Sequence, residues 1–254
     1  MSSIHGLDHF VEYFKEYSSH YVIIGGIATN YFLVENDLYG RQTKDIDLVV
    51  LANPNKAFAD RLREYVTIGQ YQSMNADSCN YRFRSPLEPA FPKQIEIFST
   101  LPMSLDLKDK QKIVPFKTSE GIKSLSAILM DEDYFNLVKS ACVIKNGLPL
   151  LSSNGLIPLK MRAFLDLYQK RQDGEQVDSQ NIKKHRNDVL RLTQTLDEEI
   201  FTLPDSIKKD CKAFVEHDEI KSIDIGTLST IVTGFNSMSQ LLHIIEEHFD
   251  LDRH

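Results

Sequence analysis

Residues 21–51 read YVIIGGIATNYFLVENDLYGRQTKDIDLVVL, and the punctuation of this stretch decides the fold. An apolar run, Tyr21-Val22-Ile23-Ile24, stops at a glycine pair, Gly25-Gly26. Ile27, Ala28, Tyr31, Phe32 and Val34 then recur at helical spacing to about Glu35, and Asn36-Asp37 and Gly40 mark a loop. Arg41-Gln42-Thr43-Lys44 leads into Asp45-Ile46-Asp47 and the apolar Leu48-Val49-Val50-Leu51, a second strand. Two carboxylates two apart on a strand project from the same face. A glycine pair closing the preceding strand lets backbone N–H groups approach a phosphate closely. Together these features point to a metal-and-nucleotide site.

Upstream, Ile4, Leu7, Phe10, Val11 and Phe14 predict an amphipathic helix over 4–18. Downstream, Pro54 suits the first turn of a helix carrying Phe58, Leu62 and Tyr65 on one side. Ser78–Arg84 and Lys93–Ser99 alternate as strands around a loop that Pro86, Pro89 and Pro92 keep irregular. In the second of them Ile95 and Ile97 take one face, leaving Glu96 as a lone acid on the other. A lysine-rich connection follows from Leu101 to about Thr118, with short β-like pieces near Ile113–Phe116 and Ala141–Lys145. Helices are predicted over Leu156–Lys170, with Ser153 or Asn154 as N-cap, and over Asn181–Leu196. The last fifty residues predict two or three more, ending in Leu228–Phe249. The simplest account is α/β (α+β): a mixed sheet with flanking helices over residues 1–120, then a mainly helical part over 121–254.

The 254 residues suffice for one large or two modest units, and 42% apolar with 26% charged residues is ordinary globular composition. No apolar run approaches the ~20 residues needed to cross a bilayer, so no membrane partner is expected. The N-terminus lacks the basic start and greasy core of a secretory signal. Cys79, Cys142 and Cys211 form no CxxC pair and no zinc-ligand spacing, which fits free thiols and a cytoplasmic location. A net charge of −7 argues against a general nucleic-acid coat but leaves room for a local basic groove.

Magnesium takes oxygen ligands and is usually held by one or two carboxylates plus substrate phosphates. Two such ions flanking a phosphoryl group need about three carboxylates in one cluster. Asp45 and Asp47 supply two, and Glu96 is the natural third. These residues add up to a resemblance. Strand, Gly-Gly, helix, then Arg-x-Thr-x-Asp-x-Asp-Leu-Val-Val, with a later isolated acid on a strand, resembles the nucleotidyltransferases of the DNA polymerase β superfamily. Gly40–Leu48 after the Gly-Gly-Ile-Ala start is most similar to the AbiEii/AbiGii toxin family within it. Ile157–Ala163, followed by Lys184-His185-Arg186-Asn187-Asp188-Val189, resembles that family's helical-half pattern.

The resemblance implies a polymerase β-like sheet, NTP as substrate and two Mg²⁺ ions held by Asp45, Asp47 and Glu96. It also implies Glu96 helping to deprotonate the acceptor. Gly25 and Gly26 are then the triphosphate contacts, and Arg41 and Thr43 belong to the nucleotide motif. Lys160 becomes a candidate phosphate contact, and Lys184 and Asp188 line the cleft. The resemblance further implies an RNA such as tRNA, or a protein, as acceptor and a cognate antitoxin as partner. Two alternatives stay open: a nucleotide-binding or interaction module without catalysis, and a small-molecule (antibiotic) adenylyltransferase.

Plainer readings exist for each part. A lone DxD often sits on the solvent face of a strand, and Gly-Gly is often just a strand-to-helix turn. Glu96 could be an edge-strand acid, a lysine on a helix flank often snorkels, and Lys183–Arg186 could be solvated surface. A dinucleotide-binding βαβ unit is the nearest rival, with an acid ~20 residues after its glycines. Its G-x-G-x-x-G spacing is absent here, and its acid closes a strand whereas Asp45 and Asp47 open one. GxxxxGK[ST] does not occur either.

Overall fold

The computed structural model describes residues 4–40, 43–51, 56–75, 80–99, 128–129 and 131–251. The chain starts with α1 (Leu7–Tyr13) and a single 3-10 turn, Lys15–Tyr17, so the predicted helix over 4–18 breaks at Phe14. Strand β1 (Tyr21–Ile24), helix α2 (Gly25–Glu35) and strand β2 (Asp45–Val50) follow. α3 (Lys56–Ile68), β3 (Gln72–Asn75), β4 (Asn80–Arg84) and β5 (Gln94–Ser99) complete the first half. β3 has no counterpart in the sequence reading. Its QSMN is polar and carries no alternation of its own.

Beyond the undescribed stretch come α4 (Glu132–Ser140), β6 (Cys142–Lys145), β7 (Leu148–Leu151), the long α5 (Ser153–Gln172) and α6 (Ser179–Thr193). The α5 N-cap is Ser152, without a side-chain cap bond, ahead of both Ser153 and Asn154, the two expected positions. α6 is capped by Asp178, whose carboxylate accepts from the Gln180 N–H. The remainder is helical: α7 (Asp205–Val215), α8 (Asp218–Lys221), α9 (Ile225–Ser229) and α10 (Met238–His248). The expected final helix over Leu228–Phe249 is therefore two. Gly234 at φ 80 lies between them, and Ser237 caps the second through the Gln240 N–H.

Seven strands form one mixed sheet in the order β3-β4-β5-β2-β1-β7-β6. β1 runs antiparallel to β2 but parallel to β7, and β2 runs parallel to β5. The sheet thus takes its last two strands from beyond residue 140. Every residue of β1 is buried, as expected of a central strand covered on both faces. On one side Phe10, Phe14, Tyr21, Phe58 and Tyr65 form an aromatic cluster. α2 buries Gly26, Ile27, Ala28, Thr29, Tyr31, Phe32 and Leu33. A helix apolar around most of its girth needs cover on several sides. The sheet provides one side and helices α5 and α6 the other. Lys145 pairs with Glu35 at 3.0 Å, and Asn146 Nδ2 donates to the Tyr31 hydroxyl at 3.0 Å, tying the β6–β7 hairpin to the same helix. Of the cysteines, Cys142 and Cys211 are free thiols. Cys79, the Ile113–Phe116 piece and the expected boundary near residue 120 lie outside the described residues. Among the described residues no helix is long and apolar enough to cross a membrane.

Candidate functional site

The register of the two parallel central strands brings the acids together. β2 aligns with β5 so that Asp45 faces Gln94 and Asp47 faces Glu96. Alternation then places Asp45, Asp47 and Glu96 on one face, while Ile46, Leu48, Ile95 and Ile97 are buried on the other. On the far side of β2, Asp47 is aligned with Ile24, the last residue of β1. There the chain turns directly into α2 at Gly25, whose φ of +65 is left-handed. A Cβ on Gly25 would collide with the Asp47 carboxylate. The glycine is required twice, by its backbone angle and by the acid packed against it. Gly26 is buried in the first turn of α2, and the Thr29 hydroxyl donates to the Gly25 carbonyl at 2.7 Å.

The acids share an unbalanced charge. Burial, then the neighbouring Glu96, then Asp45 push the Asp47 carboxyl up to about 7, against the opposing pull of Lys184 and Lys160. Glu96 is also raised, by burial first, with Arg82 opposing and Asp45 adding to the rise. Arg82 is the residue that the sequence reading missed. In the antiparallel β4–β5 pairing it lies directly across from Glu96, its Nη2 is 2.7 Å from Glu96 Oε1, and Gln94 Nε2 donates to the same oxygen at 2.8 Å. The signal was present in Asn80–Arg84. Its alternation sets Arg82 and Arg84 opposite Phe83, so a cation faces whatever acid the next strand carries.

The helices supply the opposite charge. Lys160 on α5 donates to Asp188 Oδ2 on α6 at 2.8 Å. The two residues are only 5% and 1% exposed, so this is a buried ion pair and neither side chain is solvated surface. Arg191 Nη1 stands 4.0 Å from the second Asp188 oxygen. Lys184, one turn before Asp188 on α6, is exposed, and its charge reaches both Asp47 and Glu96. Asp45, Asp47, Glu96, Lys160 and Lys184 thus interact around the Gly25 turn, and Asp188 holds Lys160 from behind. Thr43, half-buried, lies two residues ahead of β2. Arg41 lies outside the described residues.

Whether these residues suit divalent magnesium can be tested on the donor set. Among the described residues no three His, Cys, Asp or Glu side chains form a cluster that could hold a metal ion, and Glu96 is engaged by Arg82 and Gln94. Asp45 and Asp47 fit: they are hard oxygen donors on one face, in the number a phosphate-bound magnesium asks for. The raised Asp47 carboxyl marks a place where added positive charge is favourable.

No protein-family model matches the chain, and no curated protein matches it. Among solved structures the chain is similar to the Megavirus polyadenylate synthase, at 10% identity and a TM-score of 0.36, over 94% of this chain and 42% of that one. The chain therefore spans less than half the length of that structure.

Proposed function

We propose that this chain is a metal-dependent nucleotidyltransferase, moving an NMP from an NTP to an acceptor hydroxyl and releasing pyrophosphate. The observation that carries the reading is the β2–β5 register, which sets Glu96 beside Asp47 on the face that carries Asp45, with Asp47 against the Gly25 turn. In this reading residues 1–120 carry the acids and residues 121–254 the lysine wall.

Asp45 and Asp47 hold Mg²⁺ together with the phosphate oxygens of the NTP. When bound there, Mg²⁺ would neutralise phosphate charge and acidify the acceptor hydroxyl. The backbone N–H groups at Gly25 and Gly26, at the positive end of α2, receive the triphosphate. Thr43 borders the nucleotide site from just ahead of β2, and Arg41 belongs to the same sequence motif. Lys184 meets phosphate from the exposed face of α6, and Lys160, fixed by Asp188, holds a second positive charge at a set position. The acceptor oxygen bonds to the α-phosphorus as the bond to the β-phosphate oxygen breaks. Pyrophosphate leaves, and the acceptor proton passes to Glu96 once that carboxylate has exchanged Arg82 for the substrate. The similarity of Gly40–Leu48 and of the Lys160 and Lys184–Val189 patterns to the AbiEii/AbiGii family supports a toxin of a toxin–antitoxin or phage-defence pair. Its acceptor is then an RNA such as tRNA, or a protein.

Incubating the protein with each labelled NTP, Mg²⁺ and total cellular RNA tests this. Label in RNA or protein, with pyrophosphate released, is the expected result; no transfer to any acceptor contradicts it. One observation favours a second reading, a nucleotide-binding module without turnover: Glu96 is already paired with Arg82 at 2.7 Å. Tight NTP binding with no turnover on either acceptor class selects that reading.

A further inference from the structure

A second concavity lies at the other end of α2. It encloses about 300 Å³ between the loop after α2, the end of α6 and the segment after α9. Ile231 gives it aliphatic wall over the buried Leu33, and Gln194 and Thr230, which also bond to the Arg191 and Thr227 carbonyls, give it polar groups. Tyr39 and Arg191 also line it. Tyr39 is 96% exposed. A tyrosine with almost no packing contact contributes little to the core, yet the backbone that presents it is held in place. The Leu38 N–H bonds to the Leu33 carbonyl at 2.8 Å, and Gly40 lies so close to Asn30 of α2 that a Cβ there would collide with its side chain. Arg191, which lines the cavity, is anchored through Nε to the Ile231 carbonyl at 3.3 Å and stands with Nη1 4.0 Å from Asp188 Oδ1.

An unpacked aromatic ring on a backbone-anchored loop, a guanidinium lining the same cavity, and aliphatic and polar side chains between them together match one ligand chemistry. A nucleobase has two π faces and a polar rim, and it is taken up by stacking on aromatic and guanidinium planes. Location agrees. α2 runs from the Gly25 turn to Glu35, about 16 Å at helical rise, and α6 carries both Arg191 and the Asp188 that holds Lys160. The cavity therefore shares α2 with the Gly25 turn and α6 with the Lys160–Asp188 pair.

We propose that this cavity is a base-binding subsite in which a purine or pyrimidine ring stacks on Tyr39. The inference rests on the nucleotidyl-transfer reading for its purpose but has its own test. The base can come from the incoming NTP or from the acceptor RNA.

Equilibrium dialysis of the full chain with labelled adenosine, guanosine, cytidine and uridine, which carry no phosphate, reads the subsite without catalysis. Tyr39→Ala and Thr230→Trp, both at exposed positions, are expected to weaken at least one nucleoside about tenfold, while Tyr39→Phe stays within about twofold because the stacking face is kept. Nucleoside binding that is absent from the wild-type chain, or unchanged in Tyr39→Ala and Thr230→Trp, overturns the proposal. Steady-state kinetics assign the source. A raised KM for NTP alone places the base of the nucleotide there, and a raised KM for RNA alone places an acceptor base. A chain that binds nucleosides through Tyr39 but transfers no NMP contradicts the nucleotidyl-transfer reading and leaves the base site standing.

Discussion

Gly25 and Asp47 answer to one constraint, because the left-handed glycine leaves the space that the carboxylate fills. Gly25→Ala is expected to cost about 1–2 kcal/mol for the backbone angle alone, and more as Asp47 moves. The melting temperature should fall by at least about 2–4 °C, and scanning calorimetry reads it; an unchanged melting temperature means that the turn is not constrained in this way. Asp47 also sets a pH dependence. Its carboxyl titrates near 7 in the folded chain but near 4 in an unfolded one, so between those values the native state binds the extra proton. The slope of stability against pH is then negative: this group's contribution is fully present below about pH 4 and is lost as pH rises through 7. A bound cation removes the penalty. Mg²⁺ is therefore expected to raise the melting temperature more at pH 8 than at pH 6, and its binding should release protons at pH 6. Equal thermal shifts at both pH values would remove Asp47 from the metal set.

Helices α5 and α6 are joined by the buried Lys160–Asp188 pair, and an ion pair out of water is strongly destabilised when one member is lost. Lys160→Met or Asp188→Leu alone is expected to cost about 3–5 kcal/mol, and the double variant less than the sum of the two. Urea unfolding of the four proteins closes the cycle, and additive losses would mean that the pair is not coupled. The same elements show where the sequence was legible. Tyr21–Ile24, the helix from Gly25 to Glu35 and the strand opening at Asp45 followed from apolar runs ended by glycine and loop residues, which are local signals. The alternation of residues 94–99 told correctly that Glu96 stands apart from Ile95 and Ile97. What escaped was non-local. Nothing in QSMN announces a strand until β4 offers it partners. Leu148–Leu151 is a short apolar run around Pro149 whose place beside β1 depends on pairing across more than a hundred residues. Arg82 belongs to Glu96 only through the β4–β5 register. The Lys160–Asp188 contact likewise needed two helices to be packed before either side chain could be placed.

At the scale of the whole molecule, one sheet joins the two halves: β7 pairs with β1, and α2 is covered by α5 and α6. A fragment ending at residue 120 leaves β1 as an open edge and α2 bare on its outer side, so it is expected to aggregate or unfold without cooperativity. Circular dichroism melts of the fragment and the full chain check this, and a sharp transition in the fragment would mean that the first half folds alone. The acids come from the sheet and the lysines from the helices, so the site exists only in the assembled chain. The proposed reaction requires the charges of Asp45 and Asp47 to hold the cation. The direct measurement is labelled-NMP transfer, with Mg²⁺ and total RNA, by the wild-type chain beside Asp45→Asn and Asp47→Asn, which keep shape and remove charge. Wild-type transfer that falls roughly 10²-fold or more in each variant, with melting temperatures not lowered, is the predicted result; variants that transfer as fast as the wild type contradict it.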